Sequence, residues 1–457
     1  MTWQGKTVLV LGLGESGLAI VRWLAHEGAA LRIADTRAHP PSMDAVAAIA
    51  PGAELVLGPF EAALLDGIDC IAISPGLDPR IELIEVARAR AIPVIGEIQM
   101  FVDALVALGA REHTRLIAIT GTNGKTTTTA LTAALCAATG MDAVAAGNIS
   151  PATLTVLQDR LERGEPLPAC WVLELSSFQL ETVHALGADV ATVLNVTDDH
   201  LDRYDSLDDY VAAKQRALSD AAVRVLNRND VRVMGLAEGA RTFGLDAPVG
   251  AADYGLADGM LMRGPEALMP VAELALKGRH NVANALAALA MCEAVGCPLE
   301  ALVAALREFR GLPHRVEAVA ERDDGVTYFD DSKGTNVGAT LAALEGLGRK
   351  VVLIAGGDGK GQDFAPLAPA VRDHARAVVL IGRSAAQIAS ALAETGVAVE
   401  QADDLPRAVL RADALARGGD AVLLSPACAS FDMFRSYVHR AEVFVEAVCA
   451  LPRVVAL

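Results

Sequence analysis

The chain has 457 residues, which is too long for one ordinary hydrophobic core, so we expect about three domains of roughly 150 residues each. Its formal net charge is −18, with 57 acidic against 39 basic residues. Because such a surface repels a polyanion, the charge excludes nucleic acid as an expected partner. Hydrophobic residues make up 53% of the chain but are interspersed with charges, so no membrane span of about 18 apolar residues is predicted.

The cysteines and the N-terminus indicate a reducing, cytoplasmic environment. The seven cysteines form no CxxC motif and no Cys/His cluster in the sequence, so we interpret them as small buried hydrophobes, with Cys428 in a loop. The first residues, MTWQGKTVLVLG, enter a strand at once, without the basic and apolar segments of an export signal. We expect a cytoplasmic protein, and a monomer because the sequence shows no heptad seam or long apolar patch.

Short β-rich runs alternate with Ala/Leu-rich helical periods along the whole chain, which predicts an α/β fold with mainly parallel sheets. The predicted strands are TVLVLG, LRIAD, CIAIS, LIAITG, WVLEL, ATVLNV, VTYFDDS, VVLIAGG, AVVLIG and AVLLSPA. A polar joint at residues 109–113 and a Gly/Pro break at residues 310–314 predict three domains, 1–110, 111–311 and 312–457. Residues 241–272, rich in Gly, Asp and Pro, predict a loose β-hairpin region in the second domain.

The first domain carries a nucleotide-binding fingerprint. Residues 12–17 read Gly-x-Gly-x-x-Gly after a strand and before a helix, and Asp35 ends the next strand, as in a Rossmann-like fold. This pattern fits NAD, but it also fits a UDP-linked ligand, since Ser16 and the pair Thr36-Arg37 supply additional donors. Residues 74–76, Ser-Pro-Gly, form either a plain β-turn or a turn that closes over a base.

The most specific motif is residues 117–129, IAITGTNGKTTTT, in which an apolar strand runs into a Gly-rich loop and then a helix. Backbone N–H groups of such a loop bind phosphate oxygens, the lysine reaches the outer phosphates, and the following hydroxyl ligates Mg²⁺. The pattern is a variant, because Ile119 stands where the strict motif has its first Gly. We therefore predict a P-loop ATPase-type central domain with a mainly parallel sheet. The predicted ATP-binding residues of the loop are Gly121, Thr122, Asn123, Gly124, Lys125, Thr126 and Thr127.

Three further residues of the central domain are candidates for metal chemistry. Glu174 lies in an apolar strand and needs a cation, either Mg²⁺ or a neighbouring Lys or Arg. His200 lies in NVTDDHLD at a predicted strand end, as an ordinary surface histidine or as a metal ligand. From residue types alone, Lys214 in the helical stretch YVAAK is a solvated surface lysine.

Taken together, TGTNGKTT, LELSSFQLE, NVTDDHLDRY with Lys214 beyond it, and GRHNVANALAA closely resemble the Mur ligase family, over essentially the whole chain. Within that family, the first loop with residues 35–37, Pro-His-Arg at 313–315, DDSKGTN at 330–336, GGDGKGQDF at 356–364 and SPACASFDMFRSY at 425–437 are similar to the enzymes that add D-glutamate. The resemblance implies an ATP-dependent amide ligase of peptidoglycan precursor synthesis, with a third, Rossmann-like α/β domain for the amino acid. Its expected ligands are UDP-N-acetylmuramoyl-L-alanine, D-glutamate, ATP and Mg²⁺, the last as two ions.

The resemblance also implies roles for individual residues. Lys214 is expected to be carbamoylated by CO₂, which requires a depressed amine pKa, and Lys125, His200 and Lys214 are the expected catalytic residues. The expected metal ligands are Thr126, Glu174, His200 and the Lys214 carbamate. Further expected ATP contacts are Asn281, Asn284, Arg315, Asp331 and Lys333. The expected UDP-sugar contacts are Gly14, Ser16, Asp35, Thr36, Arg37, Gly76 and Asn148. The expected glutamate contacts are Thr335, Lys360, Ser430 and Tyr437.

Three other interpretations of the protein's function stay open from the sequence. The nearest is a sibling ligase that adds another amino acid or L-glutamate to a related acceptor. An NAD-dependent oxidoreductase with an accessory nucleotide domain would use the fingerprint at residues 12–17, although the triphosphate loop argues against it. A nucleotide-gated interaction module would bind ATP without substrate-stimulated turnover.

Overall fold

The structure is a computed structural model that describes residues 3–200, 203–235, 239–276, 278–359 and 362–457. Over these residues the strands form three sheets in chain order, and the helices cover their faces. The central strands of each sheet are continuous buried apolar runs, as expected for parallel strands covered on both faces. The predicted α/β fold with mainly parallel sheets is confirmed.

The first sheet is parallel and has the order β3-β2-β1-β4-β5 over the described residues. Its strands are β1 (Thr7–Leu11), β2 (Ala30–Asp35), β3 (Glu54–Leu57), β4 (Cys70–Ile73) and β5 (Val94–Gly96). The helices between and after them are α1 (Glu15–His26), α2 (Met43–Ile49), α3 (Glu82–Ala89) and α4 (Glu97–Ala107). The predicted fingerprint loop therefore lies between β1 and α1.

The second sheet has the order β14-β13-β12-β11-β10-β9-β6-β8-β7 within the described part of the chain. Its strands are β6 (Arg115–Thr120), β7 (Ala143–Gly147), β8 (Cys170–Glu174), β9 (Val190–Val193), β10 (Val223–Asn227), β11 (Arg241–Phe243), β12 (Tyr254–Ala257), β13 (Met260–Arg263) and β14 (Glu266–Pro270). Strands β12, β13 and β14 pair antiparallel, which confirms the predicted hairpin region. The accompanying helices are α5 (Lys125–Ala138), α6 (Thr153–Arg163), α7 (Ser177–Leu180), α8 (Leu207–Gln215), α9 (Val231–Met234), α10 (Arg279–Ala294) and α11 (Leu299–Glu308).

The third sheet has the order β19-β18-β17-β20-β16-β15-β21 where the chain is described. Its strands are β15 (Glu317–Arg322), β16 (Thr327–Asp330), β17 (Val351–Gly356), β18 (Ala375–Ile381), β19 (Ala398–Gln401), β20 (Ala421–Leu424) and β21 (Val454–Ala456). Its helices are α12 (Val337–Gly346), α13 (Leu367–His374), α14 (Ala385–Leu392), α15 (Leu405–Leu415) and α16 (Tyr437–Cys449). Strand β15 pairs antiparallel with both of its neighbours, β16 and β21. The remaining neighbouring pairs are parallel: β16 with β20, β20 with β17, β17 with β18, and β18 with β19.

The chain divides into two compact units. One comprises Met1–Pro270 with Asn284–Arg307 and contains the first two sheets, and the other comprises Val271–Ala283 with Glu308–Leu457 and contains the third. Across the described residues, we find no helix with the length and apolarity needed to cross a bilayer.

Candidate active site

The loop between β6 and α5 has the shape of a phosphate-binding loop. Gly121 has φ +152° and Gly124 has φ +81°, the latter as the N-cap of α5. A Cβ at Gly124 would lie 2.6 Å from Asn284 Oδ1, so this position requires glycine for space as well as for backbone conformation. Thr126 and Thr127 follow on the first turn of α5 and are buried. The predicted loop is therefore placed at a helix N-terminus, where anions bind.

Asn195, at the end of β9, holds this loop through paired hydrogen bonds. The Asn123 N–H donates to Asn195 Oδ1 (2.8 Å), and Asn195 Nδ2 donates to the Asn123 carbonyl (3.0 Å). The Thr122 N–H donates to the Asn195 carbonyl at 2.9 Å. The loop is thus fixed by the neighbouring strand. Asn195 is not among the predicted site residues, although its position at a strand end is a signal in the sequence.

Two lysines donate to the same backbone carbonyl in the loop. Lys125 Nζ lies 2.8 Å from the Gly121 and Thr122 carbonyl oxygens, and Lys214 Nζ lies 2.9 Å from the Gly121 carbonyl oxygen. Lys214 is 1% exposed, so its interpretation as a solvated surface lysine is wrong. Burial lowers its pKa well below the ordinary value, the nearby Lys125 charge lowers it further, and Asp199 opposes the change. Burial and the Lys125 charge therefore both favour the neutral amine form of Lys214 over the ammonium.

Lys214 and His200 both lie near the Tyr210 ring. Lys214 Nζ is 4.2 Å from the Tyr210 ring centroid, and the centroid of the His200 ring is 6.1 Å from it. The Tyr210 hydroxyl is 3.2 Å from Thr122 Oγ1, and burial raises the pKa of the phenol. His200 has φ +55°, packs 4.7 Å from the Phe178 ring, and has a 43% exposed side chain. The sequence signal for Tyr210 was its i, i+4 spacing from Lys214.

Glu174 ends β8, which pairs with β6 in parallel, and its side chain is 1% exposed. Asn148 Nδ2 donates to Glu174 Oε1 (2.7 Å), and the Asn148 N–H donates to the Glu174 carbonyl (2.9 Å). Among the described residues, Glu174 Oε2 is buried and has no hydrogen-bond partner. A buried carboxylate oxygen of this kind fits a hard cation such as Mg²⁺.

The fingerprint loop after β1 approaches the turn after β4. A Cβ at Gly17 would lie 1.9 Å from the Gly12 carbonyl oxygen, and a Cβ at Gly12 would lie 3.0 Å from Ser74 Cβ. The Leu77 N–H donates to the Ser74 carbonyl (3.0 Å), which closes a β-turn around Gly76. Gly14 is the N-cap of α1, and Ser16 lies on the first turn of that helix.

Asp35 is hydrogen-bonded to this loop. It is 2% exposed and accepts from the Leu13 N–H (2.7 Å) and from Arg37 Nη2 (2.6 Å). Hydrogen bonds from the Arg37 side chain, with a smaller contribution from Leu13, lower the pKa of Asp35 to about 2. Thr36 and Arg37 are exposed beside it. The Asp35 carboxylate is therefore hydrogen-bonded within this domain, to Leu13 of the fingerprint loop and to Arg37.

Glu15 connects this loop to the segment that carries Asn148. Its carboxylate accepts from Ser150 Oγ (2.7 Å) and from the Ala152 N–H (3.2 Å). The loop with Gly14 and Ser16 and the segment next to Glu174 are thus hydrogen-bonded to one another. Glu15 is not among the predicted site residues, because the residues that it binds lie 135 and 137 positions further along the chain.

In the second compact unit, Asp331 is a fully buried carboxylate. Burial raises its pKa to about 7, while the Ser425 hydroxyl at 2.7 Å and the positive charge of Arg315 oppose the shift. Lys333 Nζ lies 5.2 Å from the centroid of the Tyr437 ring, at the start of α16. The structure thus brings four predicted residues into one region of that unit: Arg315, Asp331, Lys333 and Tyr437.

Arg440 connects the segments that carry Thr335 and Ser430. It is 0% exposed, and it donates to the Cys428 carbonyl (3.2 Å) and to the Ser332 carbonyl (2.8 Å). Burial lowers its pKa to about 10. Ser430 is buried and Thr335 is partly buried, whereas Lys360 lies outside the described residues. Arg440 was not predicted, since a basic residue in a helix is usually on the solvent side.

Asn281 and Asn284 lie one turn apart at the start of α10, and both are buried. The Asn284 side chain lies where a Cβ at Gly124 would meet it, which places Asn284 beside the loop between β6 and α5. The assignments of individual residues to ATP, UDP-sugar, glutamate and metal stay predictions.

Three family profiles match successive parts of the chain. The N-terminal domain of MurD-like Mur ligases matches residues 6–96, the Mur ligase middle domain matches residues 119–292, and the glutamate ligase domain of Mur ligases matches residues 314–428. The chain is 61% identical to the UDP-N-acetylmuramoylalanine–D-glutamate ligase of Aromatoleum aromaticum, with 98% of each chain covered. It is 54% identical to the ligase of the same name from Dechloromonas aromatica, with 98% of this chain and 99% of the relative covered.

Solved structures share the fold at lower identity. The UDP-N-acetylmuramate–alanine ligase of Thermotoga maritima superposes with a TM-score of 0.60 at 20% identity, covering 96% of this chain and 98% of that one. A pseudomurein peptide ligase type C from Methanothermus fervidus gives a TM-score of 0.57 at 20% identity, covering 92% of this chain and 96% of that one.

A Gly-rich loop at a helix N-terminus, a buried carboxylate oxygen with no hydrogen-bond partner in the described part of the chain, and a buried amine with a depressed pKa are typical of a nucleotide-dependent enzyme that uses a divalent metal. The chain belongs to the Mur ligase family, whose members are ATP-dependent and use Mg²⁺. The predicted family and three-domain α/β architecture are confirmed.

Proposed function

We propose that this active site adds D-glutamate to UDP-N-acetylmuramoyl-L-alanine at the expense of ATP, as a cytoplasmic step of peptidoglycan precursor synthesis. The observation that carries the proposal is the 61% identity to a relative of that name over 98% of the chain. The chain is a ligase, and its substrates are UDP-N-acetylmuramoyl-L-alanine, D-glutamate and ATP. We propose that it acts as a monomer with domain boundaries near residues 110 and 311.

The nucleotide loop binds the triphosphate. Backbone N–H groups at the start of α5 face the phosphate oxygens, and Lys125 moves from the Gly121 and Thr122 carbonyls to the outer phosphates. Asn281 and Asn284 bind on the adenine side. We also assign Arg315, Asp331 and Lys333 to ATP.

Two Mg²⁺ ions fit the donor set of this region. Thr126, Glu174, His200 and a carbamate on Lys214 would hold them, and the ions would supply charge neutralisation at the transferred phosphoryl group. Glu174 Oε2, which is buried and has no hydrogen-bond partner among the residues that the structure describes, supports this assignment. The Asn148 side chain orients the other oxygen, Glu174 Oε1.

A carbamate forms on a neutral lysine amine, and the burial of Lys214 favours that form over the ammonium. The neutral nitrogen attacks CO₂, an N–C bond forms, and one proton leaves, which converts an amine into an anionic oxygen ligand. The lowered pKa of Lys214 and its burial beneath Tyr210 support this step. An ordinary lysine amine would be protonated and unreactive at neutral pH.

A carboxylate is a poor acyl donor, so the reaction needs activation. The substrate carboxylate attacks the γ-phosphoryl group and gives an acyl phosphate and ADP, while Lys125 neutralises developing charge. The amine of D-glutamate then attacks the activated carbonyl and expels phosphate. His200 is positioned against the Tyr210 and Phe178 rings beside this region.

The remaining residues bind the two other substrates. The fingerprint loop with Gly14 and Ser16, residues 35–37, Gly76 and Asn148 are assigned to the UDP-sugar. Thr335, Lys360, Ser430 and Tyr437 are assigned to D-glutamate, whose two carboxylates need cationic and hydroxyl donors.

The test is phosphate release from ATP by the purified chain with Mg²⁺ and UDP-N-acetylmuramoyl-L-alanine, compared with D-glutamate, L-glutamate and no amino acid. Release that requires both the sugar nucleotide and D-glutamate is expected. Release with L-glutamate alone would keep the mechanism and change the substrate, and release with another amino acid would identify a sibling ligase. ATP binding without turnover would indicate an interaction module, and NADH binding by fluorescence titration would support an oxidoreductase.

A further inference from the structure

Cys136 meets Cys292 and Cys297, which follow it by 156 and 161 residues in the sequence, in the core of the first compact unit. Cys136 lies near the end of α5, Cys292 near the end of α10, and Cys297 in the short connection between α10 and α11. The Sγ atom of Cys136 is 3.6 Å from that of Cys292 and 3.9 Å from that of Cys297. Cys136 and Cys292 are 0% exposed, and Cys297 is 4% exposed. The sequence contains no sign of this cluster, because its members come together only through the packing of α5 against the end of α10.

The three thiols differ in their surroundings. The Cys292 thiol is oriented toward the Thr132 carbonyl of α5, at 3.6 Å. The Cys297 thiol donates to Cys136 Sγ, and the Thr139 hydroxyl lies 3.7 Å from Cys297 Sγ. Cys136 is therefore the shared neighbour, and Cys297 is the member with a hydroxyl donor and slight solvent access.

Forming a disulfide requires the sulfur atoms to approach to about 2.05 Å. Bridging Cys136 to Cys292 would require movement between two packed helices. Cys297 lies outside a helix, after Gly296 at φ +96°, although its N–H donates to the Cys292 carbonyl of α10 (3.0 Å). We therefore expect a Cys136–Cys297 bridge to need less relative movement of α5 and α10 than a Cys136–Cys292 bridge. The connection therefore favours Cys297 over Cys292 as the partner, despite the slightly longer distance.

We propose that Cys136 and Cys297 form a reversible intramolecular disulfide when the protein meets a peroxide. The Cys297 sulfur attacks hydrogen peroxide, the O–O bond breaks, and a sulfenic acid and water form. The Cys136 thiol then attacks that sulfur, the S–S bond forms, the S–O bond breaks, and a second water leaves with the thiol proton. The two sulfurs are oxidised by two electrons in total and the peroxide is reduced. The bridge joins α5, which begins at Lys125, to the connection before α11.

The surroundings of the Cys297 thiol also determine how fast we expect it to be oxidised. Hydrogen bonding with Cys136 and burial raise the pKa of the Cys297 thiol, so little thiolate is present at neutral pH. The bridge therefore forms more slowly than oxidation of the exposed Cys449. It is a response to sustained peroxide exposure rather than to brief exposure.

The experiment uses the full chain with Cys449→Ser, which removes the exposed thiol and intermolecular bridges. The protein is treated with hydrogen peroxide, the remaining thiols are alkylated after unfolding, and intact mass and cross-linked peptides are measured. We expect a mass loss of two hydrogens, two fewer alkylations and a cross-linked peptide containing Cys136 and Cys297, all reversed by dithiothreitol. A Cys70→Ala variant, which removes a buried cysteine of the first sheet, is expected to behave in the same way.

Cys297→Ala and Cys136→Ala are each expected to abolish the cross-link, with circular dichroism confirming that the variants fold. Full alkylation of every thiol after prolonged treatment would overturn the proposal. A cross-link between Cys136 and Cys292, or one that persists in Cys297→Ala, would overturn it as well. These readouts do not depend on catalysis, so they are unaffected by the identity of the substrate.

Discussion

Asp331 offers a quantitative test of how burial controls charge in the second compact unit. Its carboxyl is fully buried, and its pKa is raised from 3.8 to about 7 chiefly by that burial. Between these two pH values the folded state retains a proton that the unfolded state releases. The free energy of unfolding therefore falls as pH rises through this window, and the gap of about 3 units corresponds to about 4 kcal/mol.

We expect Asp331→Asn to remove this dependence, because the amide does not titrate and still accepts a hydrogen bond from the Ser425 hydroxyl. The variant should be more stable than the wild type by about 2 kcal/mol near pH 5.5 and by about 4 kcal/mol near pH 8. Urea unfolding of both proteins, followed by circular dichroism without nucleotide, measures the difference at each pH.

Asp324→Asn is the matched control. Asp324 is a carboxylate at the surface whose pKa is lowered, first by its hydrogen bonds with Arg322, so its amide variant should gain no stability at high pH. If the difference between Asp331→Asn and the wild type is the same at both pH values, the argument from burial is wrong.

Three further predictions concern the nucleotide and metal residues. Gly124→Ala should weaken ATP binding in a fluorescent-nucleotide titration by about tenfold or more. The added Cβ meets Asn284, and a left-handed backbone costs a non-glycine residue about 1–2 kcal/mol. Unchanged affinity would contradict the loop geometry. Glu174→Gln should raise the Mg²⁺ concentration for half-maximal activity by about 10–100-fold, and an unchanged Mg²⁺ titration would remove Glu174 from the metal site. Lys214→Ala should lower activity by about 10–100-fold, with partial recovery on adding short-chain carboxylates, whereas intact activity in plain buffer would refute the carbamate.

Much of the fold was accessible from the sequence because buried parallel strands appear as uninterrupted apolar runs. Strands β1, β6, β8 and β17 were predicted on this basis. Strand β7 was not predicted, since its sequence AVAAG is rich in alanine and has no β-branched pattern that distinguishes a strand from a helix. Its assignment depends on pairing with β8, which is a tertiary interaction.

The site was predictable where chemistry is local and unpredictable where it depends on burial. The nucleotide loop is one contiguous segment, so its glycines and Lys125 could be selected directly. Lys214 was misjudged on residue type, because only the packing of α8 removes it from solvent. The meeting of Cys136 with Cys297 spans 161 residues, and spacing in the sequence contains no sign of it.

The pairing of Asn195 with the nucleotide loop has a consequence for ligand design. Since this side chain and the end of β9 already hold the backbone at Thr122 and Asn123, the conformational entropy of ordering the loop is lost during folding rather than on binding. A small anion that fits this loop would therefore meet backbone N–H donors that are already in position. Fragment screening against the nucleotide-free chain should find ligands for this loop that need no adenine group.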